Sequence, residues 1–177
     1  LAFKNWLNEK NFQIKFPKRK ITSIYLDNKN LISYNESIEG IVPRKKIRIR
    51  YYGQINKNTE YFLEEKISSV EGRFKKTKKI NHEKKKEILR YGFTDRIYGN
   101  CKFKKIITYD RSYFYYDKYR LTFDENIKFK NSLNSMIWQK INKNVFEIKT
   151  NINISENKLN HFIPFEKIRF SKYCETF

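Results

Sequence analysis

Aliphatic and charged residues alternate along several segments of the chain. In KKIRIRYYG (45–53), Lys46, Arg48 and Arg50 occupy one parity, and Ile47, Ile49 and Tyr51 the other. That period of two is the signature of a strand with one apolar face. The pattern returns in EYFLEEKI (60–67), where Tyr61, Leu63 and Ile67 share one face and Glu64 and Lys66 the other. In YRLTFDE, Tyr119, Leu121 and Phe123 oppose Arg120, Thr122 and Asp124, and in VFEIK, Phe146 and Ile148 oppose Glu147 and Lys149. Strands are predicted at 20–27, 45–52, 60–67, 73–80, 102–110, 112–117, 118–125 and 144–150, with a last one near 166–172. Helices are predicted at 2–11, 82–91, 129–142 and 155–162. Many strands with occasional helices indicate an α+β fold built on an antiparallel sheet or barrel.

Two architectures satisfy the four alternating strands. One is an ordinary sheet with a single wet face. The other is a closed barrel whose charged faces point inward, since closure sends alternate side chains into the lumen. The second makes a basic channel suited to a linear polyanion, with the apolar faces covered from outside. The segment 129–142, with Leu133, Met136, Ile137 and Ile141 at helical spacing, would serve as cover.

Charge sharpens the question. The chain of 177 residues carries 39 Lys and Arg against 19 acids, a net +20, so it repels itself unless an anionic partner compensates. Nucleic acid, an anionic membrane surface and a phosphate-rich small molecule are the candidate partners. The lysine-rich patch KKTKKINHEKKK (75–86) reads first as a solvated strand end and helix start and second as a docking site. Cys101 and Cys174 stand far apart without Cys/His clustering, which argues against a zinc site or disulfide framework and fits a reducing, cytoplasmic setting. No apolar run approaches the roughly 18 residues of a membrane span. GxGxxG and GxxxxGK[ST] are both absent, as are RNP, KH, zinc-finger and helix-turn-helix patterns. His82 and His161 are isolated, and Ser171 has no neighbouring histidine.

In order along the chain, ITSIYLDN (21–28), KKIRIRYYG (45–53), FLEEK (62–66), ITYDR (107–111), YRLTFDENI (119–127), FEIK (146–149) and RFSKY (169–173) resemble the landmarks of the VTC domain. This is the polyphosphate polymerase domain of the vacuolar transporter chaperone complex and its bacterial relatives, within the triphosphate tunnel metalloenzyme superfamily. The resemblance runs from about Ile21 to Tyr173 and favours the soluble bacterial type. It implies a single domain over 1–177, an antiparallel β-barrel forming a basic tunnel, and helices around it. The family's paired arginines match Arg48 and Arg50, its next lysine Lys66, and its following basic strand Lys76 with Lys78. Its Tyr-x-Arg matches Tyr109 and Arg111, the next strand's arginine Arg120, and its metal-binding glutamate Glu147. Its basic-x-Ser-Lys ending matches Arg169, Ser171 and Lys172, with arginine where the family usually has lysine. LAFKNWLNEK offers no counterpart of the family's first strand, so the barrel is expected to lack it.

The resemblance further implies transfer of the γ-phosphate of ATP to a growing polyphosphate chain, with Mn²⁺ or Mg²⁺ held at Glu147. ATP and inorganic polyphosphate are the expected partners, with no specific nucleic acid and no membrane span. Arg48, Arg50, Lys66, Arg111, Arg120 and Lys172 would act on the transferred group, while Lys76, Lys78, Tyr109, Arg169 and Ser171 bind further phosphates. A triphosphatase with the same site and water as nucleophile is the enzymatic rival. A non-catalytic binder of nucleic acid or polyphosphate is the rival of another class, which 13 tyrosines beside so many cations permit.

Overall fold

The computed structural model describes residues 2–150 and 155–177. In chain order the elements are α1 (Ala2–Glu9), β1 (Gln13–Asp27), α2 (Ile32–Glu39), β2 (Arg44–Tyr52), β3 (Tyr61–Ser68), β4 (Arg73–Ile80) and α3 (His82–Tyr91). Then come β5 (Phe93–Asp95), β6 (Gly99–Tyr116), β7 (Tyr119–Lys130), β8 (Gln139–Lys140), β9 (Val145–Thr150), α4 (Glu156–Phe162) and a 3-10 turn at Cys174–Thr176. The strands form one nine-stranded sheet in the order β4-β3-β2-β1-β6-β7-β8, with β5 on β6 and β9 on β7. The pairings are all antiparallel. Among the described residues, hydrogen bonding does not close this sheet. It curls instead, bringing Lys66 on β3 within electrostatic reach of Glu147 on β9, although β2, β1, β6 and β7 separate the two strands in the sheet order.

Register decides which side chains face inward. Arg48 lies opposite Tyr25 and Glu64, Arg50 opposite Ser23 and Phe62, Tyr109 opposite Ile21, and Thr122 opposite Glu147. Cross-strand partners share a face, so these form the concave wall. On the convex side Ile24, Leu26, Ile47, Ile49 and Leu63 pack with Ile88 of α3. Further along, Leu121 packs with Trp6 and Leu7 of α1, with Phe123, Phe146, Ile148 and Phe162 around them. Helical cover is therefore present, but α1, α3 and α4 supply it.

Segment 129–142, predicted helical, is the end of β7, an irregular stretch and β8. Local side-chain bonds hold it out of a helix: Ser132 Oγ accepts from the Asn134 amide at 3.2 Å, and Ser135 Oγ from the Ile137 amide at 3.1 Å. Such bonds compete with helical ones. Of the spaced apolar residues only Ile141 is buried; Met136 is 90% exposed. The two strands predicted at 102–110 and 112–117 are the single strand β6, and 166–172 forms no strand. A register shift between Thr108 and Asp110, with Asn126 at φ 54° on the partner strand, marks a bulge. It re-aims β7: Leu121 and Phe123 face the helices, whereas Ile127 and Phe129 join the cluster of Ile21, Tyr25, Ile107, Tyr109 and Tyr173.

α2 escapes prediction because its buried positions are Ser33 and Ser37, not an apolar stripe. It is held by the fully buried Asp27. One carboxylate oxygen accepts from the amides of Asn28 (2.9 Å) and Ser33 (3.1 Å), the other from the Tyr34 amide (3.1 Å) and the Tyr173 hydroxyl (2.9 Å). The acid thereby satisfies free N–H groups of the first helical turn and ties the C-terminal segment to one end of the concave face.

Candidate active site on the concave face

β2 carries Lys46, Arg48 and Arg50 inward by simple alternation. The Arg48 guanidinium donates to Glu64 Oε2 at 2.8 Å and to the Tyr25 hydroxyl at 3.1 Å. Arg50 donates to Ser23 Oγ at 3.2 Å and to the Tyr109 hydroxyl at 3.1 Å, and lies 3.5 Å from Glu64. Lys75 reaches the other Glu64 oxygen at 3.4 Å. Across the wall, Arg111 grips Asp124 with two bonds of 2.5 and 2.7 Å, and Lys172 reaches the same carboxylate at 2.6 Å. The Arg111 and Lys172 cations lie 5.3 and 4.7 Å from the centre of the Tyr109 ring. Lys46 donates to Ser171 Oγ at 2.9 Å. The segment 171–172 thus spans the concavity from β2 to β7.

The charges are strongly coupled. Burial alone would raise the Glu64 carboxyl, but Arg50 and Arg48 outweigh it and hold it below the usual range. Asp124 follows the same logic, with burial opposed by Arg111 and Lys172. Burial also works against Glu147, yet Lys149, Lys66, Arg111 and Lys172 keep it ionised to lower pH. Lys46 and Lys66 are depressed, chiefly because the walls strip water from them. Lys66 retains accessible surface all the same, as expected of a group lining a cleft that water still reaches. Burial raises the Tyr25 phenol, but Arg48 and Arg50 draw it down to about 8.

A bound polyanion would raise the pKa of Lys46, Lys66 and Tyr25 together, so each would hold more protons in the complex. At pH 8.5, where ATP is already fully ionised, its binding is expected to take up protons. Calorimetry in buffers of different ionisation enthalpy reads the sign; proton release would contradict the picture.

Of the residues singled out in the sequence, Arg48, Arg50, Lys66, Tyr109, Arg111, Glu147, Ser171 and Lys172 converge on this wall. Arg120 shares their face, opposite Tyr115 and Lys149, but lies exposed at the rim. Lys76 and Lys78 do not join them. They pair with Glu65 and Leu63 on the convex parity, and Lys75 and Thr77 take the inward positions opposite Lys66 and Glu64. Arg169 donates to the Ser37 carbonyl of α2, at the edge of the wall, where its charge still reaches Lys46. Lys46, Lys75, Tyr25, Ser23, Glu64 and Asp124 were not singled out as site residues. Apart from Lys75, whose strand is polar at every position from 75 to 79, their parity was readable, but nothing in a single strand tells a counter-ion from an exposed acid.

A surface cleft of about 570 Å³, lined in part by Ile163, Phe165 and Lys167, shares no residue with the basic wall. The wall contains no cluster of three or more potential metal-ligating side chains among the described residues. Its carboxylates Glu64 and Asp124 are engaged by arginine, which leaves Glu147 as the acid least tied by short contacts; its Lys149 neighbour is at 3.6 Å. A hard divalent cation accepts such an oxygen when phosphate oxygens and water complete its shell.

A curled antiparallel sheet with a basic concave wall defines a basic-channel architecture. The chain belongs to the VTC domain family, whose model matches residues 7–177. Its fold is shared by a candidate adenylate cyclase of Bacillus halodurans, at 13% identity and a TM-score of 0.54 over 94% of this chain and 88% of that one. A second candidate adenylate cyclase, from Vibrio parahaemolyticus, aligns at 12% identity and a TM-score of 0.47 over 91% of this chain and 74% of that one. No curated protein matches the chain. No helix among the described residues is long and apolar enough to cross a membrane.

Proposed function

We propose that this protein is a metal-dependent polyphosphate polymerase acting in the cytoplasm, with 1–177 forming one catalytic domain. The observation that carries the reading is the convergence of Arg48, Arg50, Lys66, Arg111 and Lys172 from three strands and the C-terminal segment onto one wall. Phosphoryl transfer requires alignment of the attacking and leaving oxygens, and cations that stabilise charge on the transferred group. The terminal oxygen of a polyphosphate chain forms a bond to the γ-phosphorus of ATP, the β–γ bridge bond breaks, and ADP departs with its electron pair. Arg48, Arg50 and Arg111 offer planar forks for phosphate oxygens. Glu64 and Asp124 hold those forks in place until phosphate competes for them. Lys46 and Lys66 supply point charges, and Tyr109 and Ser171 supply neutral hydrogen-bond donors. Glu147 would hold Mn²⁺ or Mg²⁺, which when bound would supply positive charge to the transferred phosphate group.

Incubation with ATP and Mn²⁺ tests the reaction. Long-chain polyphosphate with stoichiometric ADP is expected, resolved by gel electrophoresis. Orthophosphate alone would replace the polymerase with a triphosphatase, and no turnover with retained polyphosphate binding would leave a binding protein.

A further inference from the structure

At the mouth of the channel away from Tyr173 the inner wall changes character. Continuing the inward parity past Arg50 and Arg111 leads to Tyr52 on β2 and Tyr113 on β6, with Arg19 of β1 between them. The Arg19 guanidinium carbon lies 4.3 Å from the Tyr52 ring centre and 4.9 Å from that of Tyr113, and Nε donates to the Tyr113 hydroxyl at 2.7 Å. Phe62 meets Tyr52 edge-on at 6.0 Å, and Phe16 meets Tyr113 edge-on at 5.8 Å. Tyr52 leans with one side on the buried cluster of Ile21, Tyr25 and Tyr109, while Phe16, Phe62 and Tyr113 lie outside the buried clusters among the described residues. Phe16 is 53% exposed, Tyr52, Phe62 and Tyr113 are half-buried, and the helical cover lies on the convex side, with Ile47, Ile49 and Leu63 of β2 and β3 against α3 and Phe114 of β6 against α1 and α4.

A phosphate chain has no use for this layer, because the face of an aromatic ring is electronegative and repels an anion. A nucleobase does: it stacks on tyrosine and on a guanidinium plane without needing base-specific hydrogen bonds. The spacing agrees. Tyr52 follows Arg50 by two strand residues, about 7 Å, a span comparable with one ribose between the base and its first phosphate.

We infer that Tyr52, Arg19 and Tyr113 form a base-stacking subsite for the nucleoside triphosphate donor, which enters base-last at this mouth with its phosphates directed toward Arg50 and Arg111. The inference rests on the phosphate-channel reading and adds to it the reason a nucleotide, not only a bare phosphate chain, is held. Stacking discriminates little between bases but favours the larger purines.

The test compares ATP with inorganic tripolyphosphate, which carries the phosphates without the base. Dissociation constants are measured for the wild type, Tyr52→Leu and Tyr113→Leu, with melting temperatures to confirm folding. Each substitution is expected to weaken ATP about tenfold while leaving tripolyphosphate within about twofold of wild type. A wild type that binds tripolyphosphate, with ATP affinity unmoved by both substitutions, overturns the base subsite alone. Equal losses for both ligands overturn it too, since the rings would then act on the phosphate wall. Failure of the wild type to bind tripolyphosphate at all overturns the channel reading and this subsite with it.

Discussion

Replacing Arg48 and Arg50 together with alanine is expected to abolish measurable tripolyphosphate binding. Each guanidinium is inward-facing, buried to 13% and 9% side-chain exposure, and able to give a phosphate two charge-assisted bonds. At about 1.5–3 kcal/mol per such contact, losing one from each residue weakens binding by roughly a hundred-fold to ten-thousand-fold. A folding defect must be separated from this loss. The pair neutralises Glu64, itself only 1% exposed, and removing one side of a buried ion pair destabilises by about 3–5 kcal/mol. Lys75 remains near Glu64 but is half exposed and at 3.4 Å, so it compensates poorly. Adding Glu64→Gln removes the stranded charge. The triple variant should recover melting temperature but not ligand affinity, and a triple variant that binds tripolyphosphate like wild type would show that phosphate never contacts these arginines. Acid titration gives a consistency check. Glu64 and Asp124 are held below their unfolded values, so their stabilisation is complete above about pH 5 and is lost as pH falls through the lowered native values.

The legible parts of the fold are those where polarity alternates. β2, β3, β7 and β9 were readable because Ile47, Leu63, Leu121 and Phe146 each mark the convex parity between charged neighbours. α3 was readable from its boundaries, and Asn81 caps it by accepting from the Lys84 amide at 2.8 Å. β4 fails for the opposite reason. From Lys75 to Lys79 every residue is polar, so the sequence offers no parity, and only pairing with β3 shows that Lys75 faces Glu64 while Lys76 and Lys78 face out. The family's basic strand was matched correctly as a strand and assigned to the wrong side of it.

The C-terminal segment shows the limit in another form. Arg169, Ser171 and Lys172 lie close in sequence and were expected to act together. The chain there is not a strand, and strand parity does not apply. Ser171 and Lys172 are drawn inward by Lys46 and Asp124, whereas Arg169 caps carbonyl oxygen at the end of α2. Tyr25 illustrates a third kind of gap. In ITSIYLD it reads as an apolar strand residue, yet its hydroxyl sits against Arg48 and its ring stacks on Tyr173 at 4.9 Å. Only the approach of distant strands makes it part of the charged wall. The same long-range folding turns Glu64 and Asp124 from surface-like acids into the groups that position Arg48 and Arg111.

The basic wall and the lysine-rich exterior make opposite demands on a ligand. Exposed cations such as Lys79, Lys84 and Lys86 will bind any polyanion weakly, with an affinity that falls steeply as salt rises. The cations of the wall lie where screening is less effective, in a concavity across which Lys66 of β3 and Glu147 of β9 are within electrostatic reach, and a slender chain fits such a concavity better than a bulky polyanion. The most direct measurement is therefore a competition between tripolyphosphate and a single-stranded oligonucleotide of equal charge for the wild-type protein, at low and at near-physiological salt. Preference for tripolyphosphate by about a hundred-fold, widening as salt rises, is the predicted result. Equal displacement by the two ligands, with both affinities collapsing together in salt, would mean that the cations act as an open surface and would contradict the channel.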